Sequence, residues 1–185
     1  TELVIHVANK DFNRGGISQP ISIATAVNME RYRLEALVRD VVVSVALITF
    51  GLYHILLFFL RHPENASMYY GVFCLIVGIM RLFNGETIIA DLYPSLQWAQ
   101  RVRFEYVSHF AEAMFLTLYL KNFFPDFRRS SLIRSMVIIA GTFATVSLLL
   151  PFQWMCELRE PMQIFMAAIL PFAMYKLALL AWRSV

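Results

Sequence analysis

Five stretches of this chain, about residues 41–60, 69–90, 104–124, 133–151 and 161–182, are apolar over a length that can cross a lipid bilayer. Crossing the hydrocarbon takes roughly 20 residues of helix, at about 1.5 Å per residue. Inside it, every backbone N–H and C=O must find its partner within the protein, so the stretches are constrained to be α-helices. The segments between them, RHPENAS, DLYPSLQWAQRVR, PDFRRSSLIR and FQWMCELRE, carry the charges and prolines of turns. Only 16% of the 185 residues are charged, against about 25% in ordinary soluble domains. The expected fold class is an all-α transmembrane bundle, with residues 41–185 as its membrane region.

The start of the chain reads differently. In residues 1–27, ELVIHVA and ISQPISIA have strand character and ANKDFNRGG between them is rich in turn formers. A hairpin alone does not make a stable domain. It is therefore expected to be the remnant of a β domain, and the chain, which begins without Met and stops at WRSV, to be a fragment cut at both ends. Residues 28–40, NMERYRLEALVRD, place Leu34, Leu37 and Val38 at helical spacing among charges. That pattern predicts an amphipathic linker helix running directly into the first span.

Net charge is +3, with the basic residues spread among the spans as loop anchors, so the partner expected is the lipid bilayer and no nucleic acid. With the N-terminus outside, the inner ends hold six basic residues (Arg61, Lys121, Arg128, Arg129, Arg134 and Arg183) against three (Arg101, Arg103 and Arg159) outside. Arg31, Arg33 and Arg39 cancel that bias, so charge leaves the orientation open. Cys74 and Cys156 have no metal-ligand spacing and are not expected to form a disulfide.

Charges inside the spans point to function. Arg81 and Glu86, in GIMRLFNGETII, stand about 140° apart around a helix and about 7.5 Å along it, too badly placed to pair with each other. A charge at the bilayer centre costs about 2.5 to 3.5 kcal/mol on insertion scales, so each needs a neighbour. The third span supplies candidates. In RVRFEYVSHFAEAMFLTLYL, Arg101, Glu105, Ser108, His109, Glu112 and Tyr119 recur at three- and four-residue steps along one face. Counting inward from Leu92 and Phe104 on antiparallel helices pairs Arg81 with Glu112 and Glu86 with His109.

Three uses fit these residues: ion pairs that fix helix register, a ligand or water cavity opening outward, or a metal site of Glu105, His109 and Glu112. The last has only three ligands from one helix, and Arg81 nearby repels a cation. His54 in FGLYHILL reads as a hydrogen-bonded packing residue, and Ala140 with Ala144 as a small-residue face for close packing. No phosphate-binding glycine loop, HExxH, GxSxG or paired intramembrane aspartates occur. No catalytic residue, metal or other cofactor is expected, and the chain itself is not expected to be an enzyme.

The order of several strings resembles the bacterial seven-transmembrane receptors with diverse intracellular signalling modules. The strings are VANKDFNRGGISQPISIA, GLYHILLFFLRH, MYYGVFCLIVGIMRLFNGE, RVRFEYVSHF and LKNFFPDF. The fourth and fifth spans match in hydropathy alone. The resemblance implies that the β remnant closes an extracellular jelly-roll-like sensor domain binding a small-molecule or carbohydrate ligand. It also implies an N-terminus outside the inner membrane, seven helices of which five are here, a homodimer, and a cytoplasmic kinase, nucleotide cyclase or phosphatase. It carries over no catalytic residue. The rival readings are a transporter or channel with a polar path between spans two and three, and an integral-membrane metalloenzyme.

Overall fold

The computed structural model describes residues 24–61, 65–84, 93, 95–124, 127, 129–158, 160–161 and scattered positions between 163 and 178. Among these there is no strand, and the β remnant expected at residues 1–27 lies outside them except where α1 begins. The helices are α1 (Ala26–Leu60), α2 (Asn65–Asn84), α3 (Trp98–Phe123), α4 (Ser131–Leu149) and the short α5 (Phe152–Glu157). All described positions in 160–178 are helical as well, within the fifth predicted span.

α1 joins the linker and the first span in one helix of 35 residues. Its start is set by Thr25, whose hydroxyl accepts from the backbone N–H of Asn28 at 3.4 Å, satisfying one of the donors a helix leaves open at its first turn. α1, α2 and α4 are long and apolar enough to cross a membrane. α3 is 26 residues long but carries Arg101, Arg103, Glu105, Glu112 and Lys121. It packs between α2 and α4, so the least apolar helix is also the one most shielded from lipid. The helices stand in a row, α1 on α2, α2 on α3, α3 on α4, with α5 touching α3.

Small residues make the first contact in that row. A Cβ added at Gly51 would stand 2.8 Å from the carbonyl oxygen of Gly71, and one at Gly71 would stand 2.8 Å from the carbonyl oxygen of Gly51. One at Gly78 would meet Ile48, Leu47 and the Ser44 carbonyl at 3.0 to 3.1 Å. Ser44, Gly51, Gly71, Cys74 and Gly78 are all buried. Apolar side chains gain little by leaving lipid for another helix, so close backbone approach of this kind is what holds membrane helices together.

The α3/α4 contact is antiparallel and mixes ring stacking with small residues. Phe110 stacks on Phe143 with centroids 5.0 Å apart, Ala113 packs on Ala140, and Leu120 packs on Ile133 and Phe127. Of the small pair expected on the fourth span, Ala140 is fully buried and Ala144 partly so; the buried stripe instead steps by seven, through Ile133, Ala140 and Ser147. At one end the Arg103 guanidinium donates to the Leu148 carbonyl at 2.8 Å, supplying a charged donor to the open carbonyls that end α4.

These contacts predict that Gly51→Ala and Gly71→Ala each lower the thermal stability of the detergent-solubilised protein by about 1 to 3 kcal/mol, because backbone cannot move aside. Gly141→Ala is the control: its nearest neighbour is the Met114 sulfur at 3.4 Å, and a change within about 0.5 kcal/mol is expected. Equal losses at all three glycines would reject the close seam.

Candidate functional site

Two faces of α3 are occupied by neighbouring helices, and the charged one turns to α2. Ring contacts show it: Phe104 stacks on Phe83 at 4.7 Å, Phe115 lies 6.4 Å from Tyr69, and Tyr119 lies 5.1 Å from Tyr70. At about 100° per residue, Arg101, Ser108, Glu112 and Tyr119 fall within one narrow sector on that side and Glu105 at its edge. Tyr70 also reaches α1, its ring edge-on to His54 at 4.7 Å. His54, Tyr70 and Tyr119 therefore form an aromatic chain across three helices.

The same rings set the register between α2 and α3, and it differs from the one expected. With Phe83 opposite Phe104 and Tyr70 opposite Tyr119, Arg81 stands level with Tyr106, and Glu112 level with the middle of α2. The two are thus separated by about 9 Å along the bundle. Arg81 is exposed in the last turn of α2, which ends at Asn84, and it forms no ion pair among the described residues. The expected Arg81–Glu112 contact is absent because Phe104 is not the end of the third span: α3 begins earlier, at Trp98, and the ring pairs fix its register on α2. A long side chain near a helix end can reach the membrane surface, so Arg81 has no need of a buried partner. Glu86 and its expected contact with His109 lie outside the described residues.

Glu112 has found a partner on its own helix. Its Oε2 lies 3.9 Å from Nδ1 of His109, one turn earlier, with side-chain exposures of 17% for Glu112 and 36% for His109. At that distance there is no hydrogen bond, and His109 Nδ1 is buried without one; the contact is an ion pair only when the imidazole is protonated. Arg101 and Glu105, one turn apart, form no ion pair among the described residues, and the buried Nε of Arg101 has no hydrogen-bond partner. Glu105, His109 and Glu112 do not converge on a common point, and no group of three His, Cys, Asp or Glu side chains suited to a metal is present among the described residues.

His54 corrects another expectation. It packs on Tyr53 and Tyr70 through ring edges, but its Nδ1 is buried with no hydrogen-bond partner. Three features were not singled out from the sequence: Tyr70, the Gly51/Gly71/Gly78 seam, and Arg103 as the ligand of the α4 end. The seven-residue steps Ser44 to Gly51 and Gly71 to Gly78 were signals for the seam. Nothing in sequence marks Arg103, since its acceptor lies 45 residues away.

A row of helices long and apolar enough to cross a membrane, with a polar, charge-bearing interface between α2 and α3, marks an integral membrane protein. The chain belongs to the family described as 7TM diverse intracellular signalling, which it matches over residues 40–185. No curated protein and no solved structure matches it.

Arg103 gives a direct test of the α3/α4 end. Arg103→Gln keeps a donor but loses the charge, and Arg103→Leu loses both. A stability loss of about 1 to 2 kcal/mol is expected for the leucine variant, with partial recovery in the glutamine variant; equal behaviour of the two would remove the helix-end role.

Proposed function

We propose that this chain is the membrane region of a bacterial receptor. It takes a signal from an extracellular β domain that holds a carbohydrate or other small-molecule ligand, and relays it to a cytoplasmic kinase, nucleotide cyclase or phosphatase. It sits in the inner membrane with its N-terminus outside, adds two further helices beyond those seen here, and is not itself an enzyme. The observation that carries the relay is the α2/α3 interface. Glu112 and His109 are held at mid-depth with no partner on another helix among the described residues and with no hydrogen bond to His109 Nδ1, an arrangement that costs free energy in lipid and that a purely architectural interface does not need.

Packed helices shift between discrete arrangements rather than deforming smoothly. A shift of α2 past α3 changes which α2 side chains stand opposite Glu112 and His109, and so changes the stability of the two arrangements differently. The charged residues Arg81, Glu86, Glu105, His109 and Glu112 are the switch elements in this reading, with Arg81 in the last turn of α2 and Glu105, His109 and Glu112 along α3.

Glu112→Gln and His109→Gln in the full-length receptor are expected to reach the membrane at normal abundance and to hold output locked at one level with or without stimulus. Loss of abundance in step with loss of output would assign the pair to architecture alone, and normal signalling in both variants would remove it from the relay. The coding sequence past Val185 tests the remainder: two more apolar spans and then a kinase, cyclase or phosphatase domain are expected. Solute flux through vesicles containing the protein would favour a transporter instead.

A further inference from the structure

Asp40 is a carboxylate that the fold buries and leaves without a partner. It is 7% exposed and shares the buried side of α1 with Ser44 and Gly51, the residues that meet α2. Ser44, one turn away, has a buried hydroxyl that also lacks a hydrogen bond. Among the described residues Asp40 forms no hydrogen bond and no ion pair. A buried carboxylate left in that condition is costly, and the usual remedy is a cation close by.

The aromatic chain across the three helices locates that cation. Tyr70 touches His54 on α1 and Tyr119 on α3, so its flank of α2 borders both neighbours. Arg81 stands eleven residues further along α2, about three turns, and returns to within about 20° of the same flank. Asp40 precedes His54 by fourteen residues and Glu105 precedes Tyr119 by fourteen, each about 40° from a whole number of turns. Successive helices run in opposite directions, so these steps bring one charged residue from each helix to a common level. The close contacts agree. Gly51 opposite Gly71 and Ser44 opposite Gly78 set Arg81 beside residue 41, and the ring pairs set it beside Tyr106. Arg81 is therefore less than one turn from both Asp40 and Glu105 along the bundle.

We infer that Asp40, Arg81 and Glu105 are a charge latch, in which the Arg81 guanidinium closes between the two carboxylates and ties α1, α2 and α3 together at one end. A guanidinium presents five donors in a planar fork and can serve two carboxylates at once. Arg81 is exposed in the last turn of α2, so closure needs only rotation about its side-chain bonds. It can reach water without a partner; Asp40, being buried, cannot. The structure shows the latch open, with none of the three paired among the described residues. Its two arms differ in kind. The Asp40 arm lies on the glycine seam of α1 and α2 and is fixed by it. The Glu105 arm crosses the ring-packed α2/α3 interface, where a shift of α3 by one turn carries Glu105 about 5.4 Å away, out of ion-pair range. In the relay proposed above, on which this last step rests, the closed latch holds α3 in one register.

The experiment is a pair of double-mutant cycles read by thermal unfolding of the detergent-solubilised protein. Asp40→Asn, Arg81→Gln and Glu105→Gln are each expected to lower the midpoint by about 2 to 4 °C. Asp40→Asn with Arg81→Gln, and Arg81→Gln with Glu105→Gln, are expected to lose clearly less than the sums of their single losses. Arg81→Lys, which keeps the charge, is expected to recover part of the loss. Arg81→Gln with Glu112→Gln, about 9 Å apart along the bundle, is the control and is expected to add. Additive losses in both cycles would overturn the latch. So would a rise in the midpoint for Asp40→Asn, the relief of a carboxylate that stays unpaired, or coupling of Glu105 to Arg101 in place of Arg81. In the full-length receptor the three neutral variants are expected to move unstimulated output in one common direction, since each opens the same latch. Opposite directions, or unchanged output in a receptor that still answers its stimulus, would overturn it as well. The cycles read stability without any signal, so failure of the latch is distinguished from failure of the receptor reading.

Discussion

The interior placement of α3 is the constraint on which the rest of the bundle depends. A helix with five charged residues in 26 is poorly suited to stand alone in hydrocarbon, where each central charge costs a few kcal/mol. α2 and α4, which cross the membrane on their own composition, cover it on two sides. Each takes a different face: α4 receives the small and aromatic side of α3, through Phe110, Ala113 and Leu120, and α2 receives the side holding Ser108, Glu112 and Tyr119. The sequential row follows from this, since the helix that needs cover must lie between two that do not.

The two interfaces are built from different materials, and their mechanical character follows. Between α1 and α2, backbone meets backbone at Gly51 and Gly71. Contact that close leaves no room for sliding, because any shift drives a side chain into main chain. Between α2 and α3, the contacts are rings of Tyr69, Tyr70 and Phe83 against Phe115, Tyr119 and Phe104, with polar side chains between them. Rings tilt and restack at small cost, so α1 and α2 form the stiff pair and the polar interface is the compliant one.

The helices and most of their order were legible in the sequence because the bilayer fixes their length and backbone pairing. Register was not. The spacing of Arg101, Glu105, Ser108, Glu112 and Tyr119 placed them on one face of α3, and they do face α2. Depth counted from Leu92 and Phe104 as span ends goes astray, because Phe104 lies within α3 and its stacking on Phe83 sets the register. An error of a few residues in where two helices begin moves an antiparallel partner by about 9 Å, enough to replace Arg81 by an uncharged neighbour. The Glu112–His109 contact was within reach, since residues three apart on a helix are always adjacent. The Gly51–Gly71 approach is a tertiary fact that spacing hints at without naming the partner.

The N-terminal end of α1 and the compliant interface lie at opposite ends of one mechanical path. α1 is continuous from Ala26 to Leu60, with proline absent throughout, so a displacement at its N-terminal end is carried along it without a proline hinge to absorb it. There α1 is locked to α2 by the glycine seam, and what moves α1 moves α2. The first contact able to yield is the one with α3, at the ring pairs and at the charged stripe between them. Tyr70 stands at that junction, touching His54 on α1 and Tyr119 on α3. A motion entering along the longest helix is therefore delivered to the α2/α3 interface, where Glu112 and His109 have no partner on another helix among the described residues and a small change of register changes their electrostatic free energy.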